Sequence, residues 1–315
     1  MEKNPATPTW PIFEACRLKA GFQPGRTGVG CVQRIQHDYA VGFPPCQAQC
    51  ASVAANDLPM AKPRVLILRA PGANCDVEAQ FAFDKVGALA ERVHINRLRE
   101  RPNELMRYQI LVVPGGFTYG DDVAAGKILA NQLAHFLDDA LRRFRDAERL
   151  ILGICNGFQV LLKAGLLMPP DEDGPIATLA HNSSGKFEDR WVTLQVTPGK
   201  CPFLTGLERL YLPVAHGEGR FLCREEWLLK GLEQTGQIAL RYINPQGGSV
   251  VYPLNPNGSK GEVAGLCDAT GRVLGLMPHP ERHVLPTQHP RWTREGLAEE
   301  GDGLVLFRNA VRVFL

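Results

Sequence analysis

No stretch of the chain is apolar for long enough to cross a membrane, because the longest hydrophobic runs are strand-sized and broken by Gly, Pro or charge. The N-terminus lacks a basic segment followed by an apolar one, so no secretory signal is read there. An excess of one charge sign is also missing. Thirty-five Lys and Arg against 33 Asp and Glu leave a formal net charge of +2, which gives neither nucleic acid nor anionic lipid a reason to bind. The nine cysteines form no repeating framework and cannot all pair, so the chain is not read as a disulfide scaffold and a reducing, cytoplasmic setting is expected. Phosphate-cradling motifs are absent too: the Gly115-Gly116 pair is followed neither by a Walker Lys-Thr ending nor by G-x-G-x-x-G.

What is present divides the chain in two. Residues 1–59 are rich in Pro, Gly and Gln, carry four of the nine cysteines and show no sustained period, so this extension is expected to be poorly ordered. His37, Cys46 and Cys50 lack the second close-spaced pair that a zinc site needs, and no metal site is expected in the chain. Met60 stands directly before the first convincing strand, and the functional protein is expected to begin near it. From Arg64 onward strands alternate with helices, which predicts a single α/β domain over residues 60–315, a mostly parallel sheet with helices on both faces. Strands are expected at Val65–Leu68, Ile110–Val113, Trp191–Val196, Arg209–Val214, Ile238–Tyr242, Val263–Cys267 and Val273–Met277. Helices are expected over Val77–Leu89, capped by Asp76, over Asp122–Phe144 and over Leu304–Phe314. In the second, Leu129, Leu133, Phe136, Leu137 and Phe144 share one face and should be core. The section from Met168 to Arg190 reads as loop.

The most informative stretch is Leu150-Ile151-Leu152-Gly153-Ile154-Cys155-Asn156-Gly157-Phe158-Gln159, an apolar strand that turns at once into a helix. Cys155 must occupy the corner, where helix N–H groups and the helix dipole favour a thiolate. Gly153 and Gly157 clear the tight backbone and the approach of a substrate, as in the G-x-S-x-G corner of serine hydrolases. A plain buried cysteine is the alternative. Cys75, also before a helix, is a rival nucleophile that lacks flanking glycines. Near the C-terminus, Pro278 and Pro280 impose extended backbone around His279, which points His279 and Glu281 the same way, as a base and its orienting carboxylate require. A rigid surface turn is the other reading of Pro-His-Pro-Glu. His216, without a cysteine near it in sequence, reads as structural or partner-facing. Gly115 and Gly116 can turn an N–H outward as an oxyanion donor. Together these residues suit acyl transfer through a thioester and name no substrate.

The order Pro-Gly-Gly, then Gly-Ile-Cys-Asn-Gly-Phe-Gln, then Pro-His-Pro-Glu resembles the class I glutamine amidotransferases, with their flavodoxin-like sheet. More narrowly, Pro71–Asp76, Pro114–Asp122, His181–Arg190, Ala215–Arg220 and Met277–Arg282 resemble the glutaminase-subunit family of phosphoribosylformylglycinamidine synthase, over about Lys62 to Leu315. The resemblance implies a Cys155-His279-Glu281 triad, an oxyanion hole from Gly115 or Gly116 with Asn156, and substrate contacts from Gln159 and Phe187. It further implies L-glutamine as substrate and a purine-biosynthetic role. Expected partners are a large synthetase subunit (PurL), which binds the ATP and Mg that this chain has no site for, and a small bridging subunit (PurS). A Cys-His-acid hydrolase of esters or peptides and a non-catalytic glutamine-binding regulator are the rival readings.

Overall fold

The computed structural model describes residues 61–315. The expectations for residues 1–59, the His37, Cys46 and Cys50 grouping and the start at Met60 lie outside the described residues.

Eleven strands are described: β1 (Arg64–Arg69), β2 (Leu89–His94), β3 (Ile110–Val113), β4 (Leu150–Ile154), β5 (Ala177–His181), β6 (Glu188–Val196), β7 (Arg209–His216), β8 (Glu218–Cys223), β9 (Ile238–Tyr242), β10 (Val263–Cys267) and β11 (Val273–Leu276). Nine form one sheet in the order β2-β1-β3-β4-β11-β10-β9-β6-β7, while β5 and β8 pair as a small antiparallel sheet. Every neighbour from β2 to β11 is parallel and every neighbour from β11 to β7 antiparallel. It follows that β10 and β6 alone run against the other seven. The parallel part is the apolar centre: β3, β4 and β11 are buried along their whole length, as strands covered on both faces must be.

The helices are α1 (Asp76–Lys85), α2 (Ile95–Glu100), α3 (Lys127–Phe136), α4 (Asp138–Asp146), α5 (Asn156–Lys163), α6 (Glu226–Gln234), α7 (Trp292–Glu295) and α8 (Leu304–Arg312). From β1 the chain moves outward to β2, and from β3 it moves the opposite way to β4. Right-handed crossovers therefore put α1 and α3–α4 on opposite faces. α8 packs beside α1, and α5 beside α3, over β3, β4 and β11. The reversal of strand order between β1 and β3 is where open α/β sheets bind ligands, beyond the carboxyl ends of the strands. The loops after β1, β3, β4 and β11 all open there.

Several boundaries differ from expectation for physical reasons. α1 stops at Lys85 because the chain turns at Gly87, φ 87°, and Leu89 already begins a strand. Asp76 is not the cap. It is the first helical residue, buried, with its carboxylate on the Val77 N–H at 3.0 Å and on Arg69 at 3.0 Å. The expected long helix is two: α3 starts only after Gly126, φ 72°, and α4 follows a break at Leu137. Leu129, Leu133, Leu137 and Phe144 are core, but the break turns Phe136 outward to 44% exposure, with the Arg99 guanidinium over its ring at 4.1 Å. The section read as loop holds β5 and the start of β6.

Candidate active site

Cys155 joins β4 to α5 with φ 50° and ψ −105°, a backbone conformation that costs a non-glycine residue about 1–3 kcal/mol and persists only where its surroundings impose it. Those surroundings are visible. The Cys155 N–H donates to the Leu276 carbonyl at 2.8 Å, tying the corner to β11. Gly153 and Gly157 clear backbone rather than substrate: a Cβ at Gly153 would lie 2.7 Å from the Gly157 oxygen, and one at Gly157 would lie 1.8 Å from the Val113 oxygen. The Cys155 Sγ is buried, 3.6 Å from the Ala215 carbonyl oxygen.

His279 follows β11 and is anchored by its own N–H, which donates to the Pro213 carbonyl of β7 at 2.8 Å. Its Nδ1 lies 2.6 Å from Glu281 Oε1, and both side chains are buried. The two meet by a different local geometry from the extended chain read in the sequence. Pro280–Arg282 is a single 3-10 turn, which folds Glu281 back under the imidazole. Burial by itself would favour a neutral ring, but the Glu281 carboxylate and then the Cys155 sulfur outweigh it and hold His279 well above the ordinary histidine range. Among the described residues its Nε2 has no hydrogen-bond partner, nor has Glu281 Oε2.

A cavity of about 140 Å³ opens on Cys155. Gly116 lines it with a φ of 138° that suits glycine, whereas Gly115 does not, and a Cβ at Gly115 would meet His279 Cε1 at 2.8 Å. Phe187 stands at the mouth, 53% exposed, its ring 6.4 Å from that of Phe117. Asn156 is fully committed. Its Nδ2 donates to Asp121 Oδ1 at 3.0 Å and to Gln159 Oε1 at 2.9 Å, while its Oδ1 accepts from Thr118 Oγ1 at 2.6 Å. Gln159 lines the cavity too, but its Nε2 is spent on the Glu218 carbonyl, so its amide orders the wall. Two carboxylates, Asp121 and Glu218, complete that wall; burial is the main cause that raises the Asp121 carboxyl above its usual range.

The sequence reading gave His216 no place in this site, yet it lines the same cavity. Asn182 turns its Nδ2 to the Lys186 and His216 carbonyls and its Oδ1 to the Gly219 N–H, so His216 Nδ1, 3.1 Å from that Oδ1, must donate. Asn257 in turn faces the ring's Nε2 at 3.5 Å. This neutral ring is pushed down to about 3, by burial and then by the nearby charge of His279. No spacing signal could have found it, because its partners lie 34 and 41 residues away. The two histidines make opposite stability predictions. Since the unfolded chain binds a proton near pH 6.5 that folded His216 refuses, stability should fall as pH drops below that value, by about 2 kcal/mol at pH 5 from this group. His279, with its folded value raised, contributes below about pH 6.5 and loses that contribution as pH rises through the folded value. Urea unfolding of His216→Gln should show the acid-side slope reduced; an unchanged slope would exclude His216 as its source.

Comparison with known proteins gives consistent matches. Residues 62–314 match the family described as CobB/CobQ-like glutamine amidotransferase domain. A phosphoribosylformylglycinamidine synthase subunit PurQ from Dehalococcoides mccartyi is 49% identical over 255 residues, covering 80% of this chain and 98% of the relative. A protein of the same name from Methanococcus maripaludis is 40% identical over 266 residues, covering 80% and 98%. In the solved structure of PurLQS from Thermotoga maritima, one chain aligns with a TM-score of 0.62 at 31% identity, covering 81% of this chain and 100% of that one.

Proposed function

The chain belongs to the CobB/CobQ-like glutamine amidotransferase domain family, and from that premise we propose that it is the glutaminase subunit of a phosphoribosylformylglycinamidine synthase. The observation that carries the chemistry is the strained Cys155 corner beside a buried His279–Glu281 pair held at 2.6 Å. In this reading the Cys155 sulfur attacks the side-chain amide carbon of glutamine and His279 takes the thiol proton. The tetrahedral oxyanion is met by the N–H of Gly116, which lines the cavity, and by the N–H of Asn156, one of the first-turn amides of α5 that have no intrahelical partner. His279 then protonates the departing nitrogen as the C–N bond breaks, and ammonia leaves a thioester on Cys155. Water, deprotonated by His279, releases glutamate.

The size of the cavity supports an amino-acid substrate. About 140 Å³ is well under the roughly 300–1,000 Å³ of pockets for drug-sized ligands, so a nucleotide has no room there. Asp121 and Glu218 suit the α-ammonium of glutamine. The ATP-dependent step, joining ammonia to formylglycinamide ribonucleotide, falls to a large synthetase subunit that carries ATP and Mg, with a small bridging subunit completing the complex. Ammonia released into neutral water takes a proton and stops being a nucleophile, so delivery must be closed to solvent.

The test is glutamine turnover by the full chain with and without the synthetase subunit. Coupling of ordinary size predicts a rise of at least about tenfold in the complex, with asparagine and simple esters left untouched. Equal rates alone and in complex would refute the coupling; turnover of esters would favour the general thiol-hydrolase reading.

A further inference from the structure

Cys75, which the sequence offered as a rival nucleophile, is buried against the base that Cys155 uses. One ligand-capable atom from each of Cys75, His279 and Glu281 lies within 4.8 Å of the other two. Arg282 holds the sulfur, and Gly115 holds the backbone that carries it. Arg282 Nη2 donates to it at 3.1 Å, and Arg282 is itself paired with Glu78 at 3.4 Å. The Cys75 N–H donates to the Gly115 carbonyl at 3.3 Å, and a Cβ at Gly115 would touch both Cys75 Sγ, at 3.2 Å, and His279 Cε1, at 2.8 Å. Sulfur and imidazole therefore bracket Gly115, in the loop that presents Gly116 to the cavity.

Resting on the glutaminase reading, we propose that Cys75 is a positioning residue, its sulfur locked by Arg282 against the His279–Glu281 pair so that the imidazole is held in register with Cys155 and the Gly115-Gly116 loop. A thiol suits the place. Alanine would leave a gap beside a buried ion pair, and a carboxylate would compete with Glu281 for the ring. Cys75 is not a second nucleophile: burial, the largest influence on it, pushes its thiol up. The groups that act on His279 are Glu281, Cys155 and Cys75, with His216 close enough to feel its charge and Arg282 behind Cys75. Cys75 is among those that favour the protonated ring, so its loss should leave the imidazolium, and with it the Cys155 thiolate, harder to form.

The experiment compares the full-length wild-type chain with Cys75→Ala and Cys75→Ser, using iodoacetamide as probe and peptide mass spectrometry to assign the alkylated thiol. Of the two cysteines near His279, Cys155 and not Cys75 should be labelled in the wild type, and Cys155 should be labelled in all three. Its labelling midpoint should move up by roughly 0.5–1 pH unit in Cys75→Ala and return most of the way in Cys75→Ser. Glutamine turnover should fall about tenfold in kcat with KM within about twofold for Cys75→Ala. Identical labelling profiles in the three proteins, or alkylation of Cys75 in the native wild type, would overturn the proposal. A shifted profile in a chain that turns over no glutamine would instead uphold the positioning and remove the glutaminase reading.

Discussion

Cys155→Ala should lower glutamine turnover by about 10⁴-fold or more while glutamine still binds, because the variant removes the atom proposed to form the thioester and leaves the rest of the cavity wall intact. Calorimetric titration with glutamine, in parallel with ammonia release, separates the two effects. His279→Ala should cost a comparable factor, and the double variant should be no slower than the worse single one within about threefold. A nucleophile without its base and a base without its nucleophile are equally idle, so the losses do not add. The backbone supplies a second check. Since φ 50° at Cys155 is a strain relieved by glycine, Cys155→Gly should be more stable to urea than Cys155→Ala by about 1 kcal/mol, although both are inactive. More than a tenth of wild-type turnover in Cys155→Ala would remove Cys155 from the reaction. Equal stability of the two variants would remove the strain.

Much of the architecture was legible because the sheet centre is buried on both faces and so reads as unbroken apolar runs. Ile110–Val113 and Val263–Cys267 are such runs and have the bounds expected of them, as does Ile238–Tyr242 despite Arg241. Strands at the margins were not legible. β2 reads Leu-Ala-Glu-Arg-Val-His, with three of its six residues exposed, and its charged middle hides the period; β5 pairs only with β8, 37 or more residues further on. The break at Leu137 has no local mark, since the apolar spacing runs through it. In the site, Cys155, its glycines and the Pro-His-Pro-Glu segment stand out because backbone constraint selects residue types. The wall does not. Asn182, His216 and Asn257 meet from the loop after β5, the end of β7 and the loop before β10, and Asp121 and Glu218 reach the cavity from different sides of the sequence, so nothing in their spacing announces the contact. Even where residues were identified, their geometry came from elsewhere: His279 and Glu281 meet through a 3-10 turn that depends on the Pro213 carbonyl for its anchor.

The same dependence makes Gly157→Ala the severest substitution expected for stability. Its added Cβ would sit 1.8 Å from the Val113 oxygen, 2.7 Å from the Val113 carbon and 3.3 Å from the Pro114 oxygen. All three are backbone atoms of the sheet centre and its exit, with no side-chain end to swing away, so α5 must lift off β3. That movement undoes the packing of Phe158 and Leu161, both fully buried, and carries the Asn156 N–H away from the proposed oxyanion position. A loss of about 4 kcal/mol or more is expected, enough to leave a chain of ordinary stability only partly folded. Gly231→Ala is the control: Gly231 lies inside α6, with nothing within 4 Å of its added Cβ, so the same change there should stabilise by up to about 1 kcal/mol. Urea denaturation of both variants decides the matter. If Gly157→Ala unfolds within about 1 kcal/mol of wild type, the helix is not pressed on the strand as tightly as these distances require, and the argument that packing forces Cys155 into its corner loses its support.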